Sequence, residues 1–145
     1  MNTFEDAKIN VKLKIAALWT SFMFLYIYVD YFHLYMPGTL EDIMAGKVFT
    51  FEISQAFTLA GLISVSIPAI MISISVILSA RLNRKINLIV ATLFIPYSLF
   101  NLAGEAWIHM FFGATVEVAL LVLIIRFAWK WPKGVVVMNL GGASH

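Results

Sequence analysis

The chain contains no cysteine. Disulfides, thiolate metal ligands and redox thiols are therefore excluded, and redox chemistry leaves the compartment undetermined. Charge is nearly as scarce: 12% of the 145 residues are charged and 61% are hydrophobic, where soluble domains carry about twice that charge. A soluble globular domain is excluded. The ten Lys and Arg lie scattered at the ends of apolar runs, too dispersed for a nucleic-acid footprint, so no nucleic-acid partner is expected. No repeat of fixed period is present, and an inverted-repeat transporter is not indicated. No catalytic signature names a reaction or a cofactor.

What the sequence has in abundance is long apolar runs. Four of them, Leu13 to Tyr35, Ser54 to Ala80, Ile86 to Gly104 and Met110 to Trp129, approach or exceed the roughly 20 residues that carry a helix across about 30 Å of hydrocarbon. The expected fold is all-α: a polytopic membrane protein built as an antiparallel four-helix transmembrane bundle, a single domain over residues 1–133 with a flexible tail at 134–145. The first run is too long for a signal peptide. It is preceded by Glu5 and Asp6 and followed by no small-residue cleavage site, so it is expected to remain attached.

The cations set an expected orientation. Lys8, Lys12 and Lys14 precede the first span, Arg81, Arg84 and Lys85 separate the second from the third, and Arg126, Lys130 and Lys133 close the fourth. Only Lys47 lies opposite. By the positive-inside rule both termini face the cytoplasm, in the inner (cytoplasmic) membrane. Trp129 and Trp131 at one edge and Trp107 at the other suit an aromatic belt. Between the first two spans, Pro37-Gly38 breaks the helix, and Thr39 can cap a short amphipathic turn of Leu40 to Met44 ending at Gly46. Pro68 and Pro96 leave the carbonyls of Ser64 and Thr92 unpaired, which predicts kinks. Ala60 with Ser64, Ala69 with Ser73 and Ser75 with Ser79 are small pairs four apart that permit close helix contact, within one chain or in a homo-oligomer.

Ionisable groups are costly within a bilayer, and their presence asks for a reason. Six of the eight acidic residues, Asp30, Glu41, Asp42, Glu52, Glu105 and Glu117, lie outside or in the outer half of the expected membrane. Helical spacing gathers them into stripes. Trp19, Met23, Tyr26, Asp30 and His33 share one face of the first span, and Glu52, Gln55, Leu59, Leu62 and Ser66 one of the second. Phe94, Ser98, Asn101 and Glu105 follow in the third, and His109, Gly113, Glu117, Leu120 and Ile124 in the fourth. Turned inward, these faces predict a polar pocket open to the outside and an apolar plug towards the cytoplasm. Asp30, His33, Asn101, Glu105, His109 and Glu117 are the candidate ligand or proton site.

Glu117 stands out, about two turns and roughly 10 Å into the fourth span, among Val116, Val118 and Ala119. A carboxyl there must be partnered or protonated. It either fixes helix packing by a hydrogen bond or serves as a ligand or proton site. Asp30 with His33 and Glu105 with His109 form two carboxylate-histidine couples, loosely like the inward Glu-x-x-His ligation of di-iron bundles. The Glu105 to His109 spacing is four rather than three, and each histidine also suits a hydrogen bond at the headgroups. Phe22, Phe24, Tyr26, Tyr28, Tyr31, Phe32 and Tyr35 crowd the outer half of the first span, as a lipid-facing belt or as an aromatic wall for a lipophilic small molecule beside Asp30.

Several motifs resemble those of a family of small bacterial four-span membrane proteins, a domain of unknown function. They are Tyr28 and Asp30, Pro37-Gly38, Leu40-x-x-Ile43-x-x-Gly46, Ile67-Pro68, Arg81-x-Asn83-Arg84, and His109 to Glu117 leading to Ala128-Trp129-Lys130-Trp131-Pro132. The resemblance covers Leu13 to Pro132. It implies four spans and assigns no reaction.

Three functional classes fit these residues. The first is an oligomeric membrane protein that binds and transports a cation or proton at the outward acidic pocket. The second is an intramembrane acid-base enzyme acting on a lipophilic substrate, with Asp30 and Glu117 as the acid pair. The third is a packing or accessory subunit whose polar groups hold helices together.

Overall fold

Asn10 opens the first helix: its side-chain oxygen accepts a 2.9 Å hydrogen bond from the Lys12 amide, satisfying a donor that the helix start leaves free. In this computed structural model, which describes residues 7–104 and 107–132, the helix α1 (Val11–His33) runs for 23 residues, about 35 Å at 1.5 Å per residue. The expectations for Glu5, Asp6, Glu105, Lys133 and the tail 134–145 lie outside the described residues.

The amides of Leu34, Tyr35 and Met36 bond three residues back, which tightens the exit from α1 into a turn. Gly38, at φ +89°, then leads into the short α2 (Thr39–Met44). Thr39 is the first helical residue and caps nothing, contrary to expectation, because Gly38 holds the N-cap position in a left-handed conformation. A two-stranded hairpin follows that the apolar pattern did not indicate. Here β1 (Lys47–Val48) pairs antiparallel with β2 (Phe51–Glu52), Lys47 facing Glu52 and Val48 facing Phe51. Glu52 therefore ends a strand instead of starting a helix. The next helix, α3 (Gln55–Ile77), starts after Ser54, whose hydroxyl accepts from the Phe57 amide at 3.1 Å. Two residues then connect it to α4 (Ala80–Phe100), and α5 (Ile108–Trp129) closes the described chain.

The chain is thus mostly helical, and α1, α3 and α5 are long and apolar enough to cross a membrane. These mark a membrane protein. α4 differs: Arg81, Asn83, Arg84 and Lys85 occupy its first turns, and its apolar stretch runs only from Ile86 to Phe100. That is about 22 Å, short of the roughly 30 Å of hydrocarbon. Residues 101–104, expected within the third span, form turns.

α1 lies against both α3 and α5, and α5 against α4, while α3 and α4 approach each other less closely. The core between them is aromatic at its centre. Trp19, Phe22 and Phe94 meet edge to face with centroids 5.7 to 6.3 Å apart, the arrangement favoured by the ring quadrupoles. Ile15, Met71, Leu121 and Ile124 fill in around them, and Ala91 and Ala128 are fully buried where helices come close.

The end expected to be an apolar plug is instead polar. Trp19 Nε1 donates to Asn87 Oδ1 at 2.6 Å, and Ser75 Oγ donates to the same oxygen at 3.3 Å. Asn87 Nδ2 donates to the Asn83 carbonyl and side-chain oxygen, and Asn83 Nδ2 donates to the Ser75 carbonyl. Trp19, Ser75, Asn83 and Asn87 are all buried. Each finds partners within the protein, which is what permits polar groups there. The apolar layer is the aromatic cluster in the middle. Beyond the asparagines, Lys12 Nζ donates to the Leu78 carbonyl at 2.6 Å and Arg84 Nε to the Ala128 carbonyl at 3.1 Å. Lys14 lies over the Phe127 ring and Arg84 over Trp129. The start of α1, the end of α3, the start of α4 and the end of α5 therefore meet at one cationic end.

The stripe expected on α3 points the other way. Leu59 and Leu62 are 58% and 65% exposed, whereas Pro68, Met71 and Ser75 are buried. The bonds from Ser75 to Asn83 and Asn87 fix the rotation of α3, and this turns Ala60, Ala69 and Ser73 outward.

Replacing Asn87 should be costly. Asn87→Ala leaves Trp19 Nε1 and Ser75 Oγ without their acceptor, an expected loss of about 1–3 kcal/mol, read as a lower midpoint in detergent unfolding followed by circular dichroism. Ile89→Ala, on the exposed face of the same helix, should barely move that midpoint.

Candidate functional site

The face of α5 that meets its neighbours carries Met110, Gly113, Ala114, Glu117 and Leu121, spaced at three and four as a helix requires. Gly113 decides how near α1 can come. A Cβ at this position would sit 2.5 Å from Val29 Cγ2, so only glycine admits the valine. That approach brings the C-terminal half of α1 alongside Glu117.

The result is a cleft of about 20 Å³ between α1, α4 and α5, lined by Tyr26, Asp30, Ser98, Asn101, Met110 and Glu117. It has room for a water molecule and little else. Glu117 is 3% exposed and Ser98 is fully buried. The Ser98 hydroxyl lies beside the Glu117 carboxyl but outside hydrogen-bonding geometry, and it bonds to no other described residue. Asp30 sits at the exposed rim, close enough to interact electrostatically with both Glu117 and His33. Among the described residues no Lys or Arg forms an ion pair with Glu117.

A chain of hydroxyls leads away from the cleft. The hydroxyls of Tyr26 and Tyr97 are 3.1 Å apart, Tyr97 donates to Ser64 Oγ at 3.1 Å, and Ser64 donates to the Gly61 carbonyl at 2.7 Å. The chain joins α1, α4 and α3. Its recipient, Ser64, stands one turn before Pro68, at the point where the proline removes a backbone donor.

The six expected site residues divide in the fold. Asp30, Asn101 and Glu117 line one cleft, whereas His33 stands next to Asp30 with its ring 5.4 Å from that of Phe49 in the hairpin. His109 lies apart. Two turns before Glu117, it lines a second cleft of about 380 Å³ with Phe32, Tyr35, Met36 and Trp107. The position of Glu105 is outside the described residues. Among the described residues, no three His, Asp or Glu side chains gather as metal ligands. Asp30 and His33 stay adjacent, His109 lines the other cleft, and the Glu105 member of the second couple lies outside the described residues.

The cleft offers specific chemistry. Two carboxyls, a tyrosine hydroxyl, a serine hydroxyl and an amide around a water-sized space can bind and pass a proton, but they cannot enclose a lipophilic substrate, which needs roughly 300 Å³ or more. Helical spacing and motifs named Ser64 and Asn83 without assigning either a hydrogen-bonding role, and Tyr97 and Asn87 were not singled out at all. The Asn83-x-x-x-Asn87 spacing was the available signal: two amides on one face of an apolar helix imply an internal partner.

The chain belongs to the family of unknown function DUF6326, whose match covers residues 1–138 and so extends past the Pro132 at which the recognisable motifs end. No curated protein and no solved structure matches it.

The close approach at Gly113 can be tested by a pair of substitutions. Gly113→Val should destabilise by about 1–3 kcal/mol through overpacking against Val29, and Val29→Ala in the same chain should restore a substantial part of the loss. Both are read from unfolding midpoints in detergent.

Proposed function

We propose that this protein is a proton-binding and proton-conducting membrane protein, with Glu117 as the central acid and Asp30 as its partner at the rim. The observation that carries the reading is Glu117 itself: a nearly fully buried carboxyl facing Asp30, Tyr26 and Ser98 across a cleft with room for water. Burying a lone carboxylate costs more than packing alone explains, and reversible protonation is the chemistry that such a group offers. The hydroxyl chain through Tyr97 to Ser64 gives the proton a second set of partners. Asn101 borders the cleft from the turn that ends α4, and His33 neighbours Asp30.

The reading includes four spans in an antiparallel bundle, with α4 as the short third crossing and its cationic first turn in the headgroup region. Nine of the ten Lys and Arg lie in or beside the start of α1, the start of α4 and the end of α5, which supports a cytoplasmic membrane with both termini inside. The outward small residues Ala60, Ala69 and Ser73 support self-association into a homo-oligomer. In this arrangement Trp19, Phe22 and Phe94 are the barrier between the outer cleft and the inner asparagines. From Asn87 to Ser98 along α4 is about 16 Å.

One observation favours a second reading, that of a packing subunit. The asparagine network binds three helices together and lines neither of the two clefts described above. Such a network is sufficient to explain stable folding without any ligand.

The test is proton flux into vesicles that hold a pH-sensitive dye, driven by a potassium diffusion potential. Wild-type protein should acidify the lumen faster than empty vesicles, and Glu117→Gln, reconstituted to the same density and equally stable, should not. Equal flux from the two proteins, or no flux from either, would favour the packing role.

A further inference from the structure

The end of the molecule where α1 and α4 begin and α5 closes collects cations that the proton reading leaves unused. Arg84, near the start of α4, is held there by two contacts. Its Nε donates to the Ala128 carbonyl at 3.1 Å, and its guanidinium carbon lies 5.9 Å from the centre of the Trp129 ring. A hydrogen bond on one side and an aromatic ring on another restrict where the group can lie. Both Nη groups remain, and they donate to no described residue. Arg84 is exposed, and so is Trp129, by 68%. Arg84 therefore offers a pre-positioned fork of donors at the protein surface, the shape that takes two oxygens of a phosphate.

The surroundings specify the charge of the partner. Arg81 and Lys85 flank Arg84 on α4, and Arg126 and Lys130 lie within a turn of Trp129 at the end of α5; all four are exposed. None of these cations forms an ion pair among the described residues. The described carboxylates are elsewhere. Asp30, Glu41, Asp42 and Glu52 belong to the second half of α1 and the connection after it, and Glu117 precedes Trp129 by about 18 Å along α5. The exposed faces also change character away from the cations. On α4 the exposed positions pass from Lys85 to Ile89 and Leu93, and on α5 from Arg126 to Val122, at the spacing of one helical face. A cationic patch bordered by an apolar flank is the complement of a lipid: an anionic head followed by acyl chains.

We infer that the α4–α5 end binds an anionic phospholipid, with phosphate oxygens on the Arg84 Nη groups and acyl chains along the faces of Ile89, Leu93 and Val122. The exposed Trp129 ring then sits at headgroup depth beside it, as interfacial tryptophans do. The phosphate alone does not select the lipid class, because zwitterionic phospholipids carry one too. Selection comes from the rest of the head. A choline or ethanolamine cation would face Arg81, Lys85 and Lys130 with no described carboxylate to receive it, whereas a glycerol head brings no opposing charge. A soluble anion would leave the apolar flank unused. The site does not rest on the Glu117 reading, nor on which side of the membrane this end faces.

The test is native mass spectrometry of the full chain in a non-ionic detergent, titrated with phosphatidylglycerol or with phosphatidylcholine of the same acyl chains. The first phosphatidylglycerol should bind more tightly than the first phosphatidylcholine. Arg84→Gln should lose about tenfold in phosphatidylglycerol affinity, the size expected for a charge-assisted hydrogen bond, and Arg84→Lys, which keeps the charge and loses the fork, should lose part of it. Because Arg84 also bonds to Ala128, a second variant leaves that bond intact: Lys85→Gln together with Lys130→Gln should lower the preference for phosphatidylglycerol over phosphatidylcholine. Lys47→Gln, in the hairpin, removes a positive charge elsewhere and should change neither affinity. Four results would overturn the proposal: equal affinity of the wild type for the two lipids, wild-type affinity in folded Arg84→Gln, an unaltered preference in the Lys85 and Lys130 double variant, or a loss in Lys47→Gln as large as that in Arg84→Gln. Displacement of the lipid by an equal concentration of inorganic phosphate would also overturn it, assigning the fork to a soluble anion.

Discussion

A polar side chain in an apolar interior has to find its partners within the protein, and Asn87 finds three. Its oxygen accepts from Trp19 on α1 and Ser75 on α3, and its amide nitrogen donates to Asn83 on its own helix. Those bonds hold together helices that otherwise approach only loosely, since α3 and α4 are joined by side chains more than by close packing. They also determine which side of α3 turns inward. The rotation of α3, the seating of Trp19 and the aromatic layer above it all follow from this one constraint.

The opposite side of the molecule is organised by size instead of hydrogen bonding. Gly113 lets Val29 approach to a distance that any side chain would block, and Ala114 and Ala128 are buried along the same helix. Shape thus joins α5 to α1 and α4, and polarity joins α3 to α1 and α4. The cleft at Glu117 exists because the first mechanism brings the C-terminal half of α1 close, while the helix-ending turn after Phe100 leaves Asn101 at its edge. Polar and apolar layers then alternate along the helices: cations and carbonyls at one end, the asparagines, the Trp19–Phe22–Phe94 cluster, and the carboxyl cleft.

Much of the candidate site was legible in the residues. The faces of α1, α4 and α5 that carry Tyr26, Ser98 and Glu117 follow from helical spacing alone, because burial on those helices repeats at the helical period. The face of α3 was not legible. Leu59 and Leu62 are as apolar as the residues that are buried, and in a chain this hydrophobic the contrast between core and surroundings nearly vanishes, so apolar periodicity no longer shows which side is inside. The separation of His109 from Glu117 was hidden for a different reason. Two positions eight apart lie on one face of a helix, yet they sit about 12 Å apart along it, far enough to enter different clefts.

What the sequence alone determined is the class of the protein: helices in a membrane, few charges, cations gathered at particular connections, and a carboxyl deep in an apolar run. These follow from composition and from the cost of burying charge, which do not depend on how the helices meet. The tertiary structure decided what surrounds that carboxyl, which polar residues satisfy one another, and where space remains. Such questions turn on helix rotation and on approach distances of an ångström or two. Those are set by pairs such as Asn87 with Ser75 and Gly113 with Val29, whose members lie far apart along the chain and acquire their meaning only when folding brings them into contact.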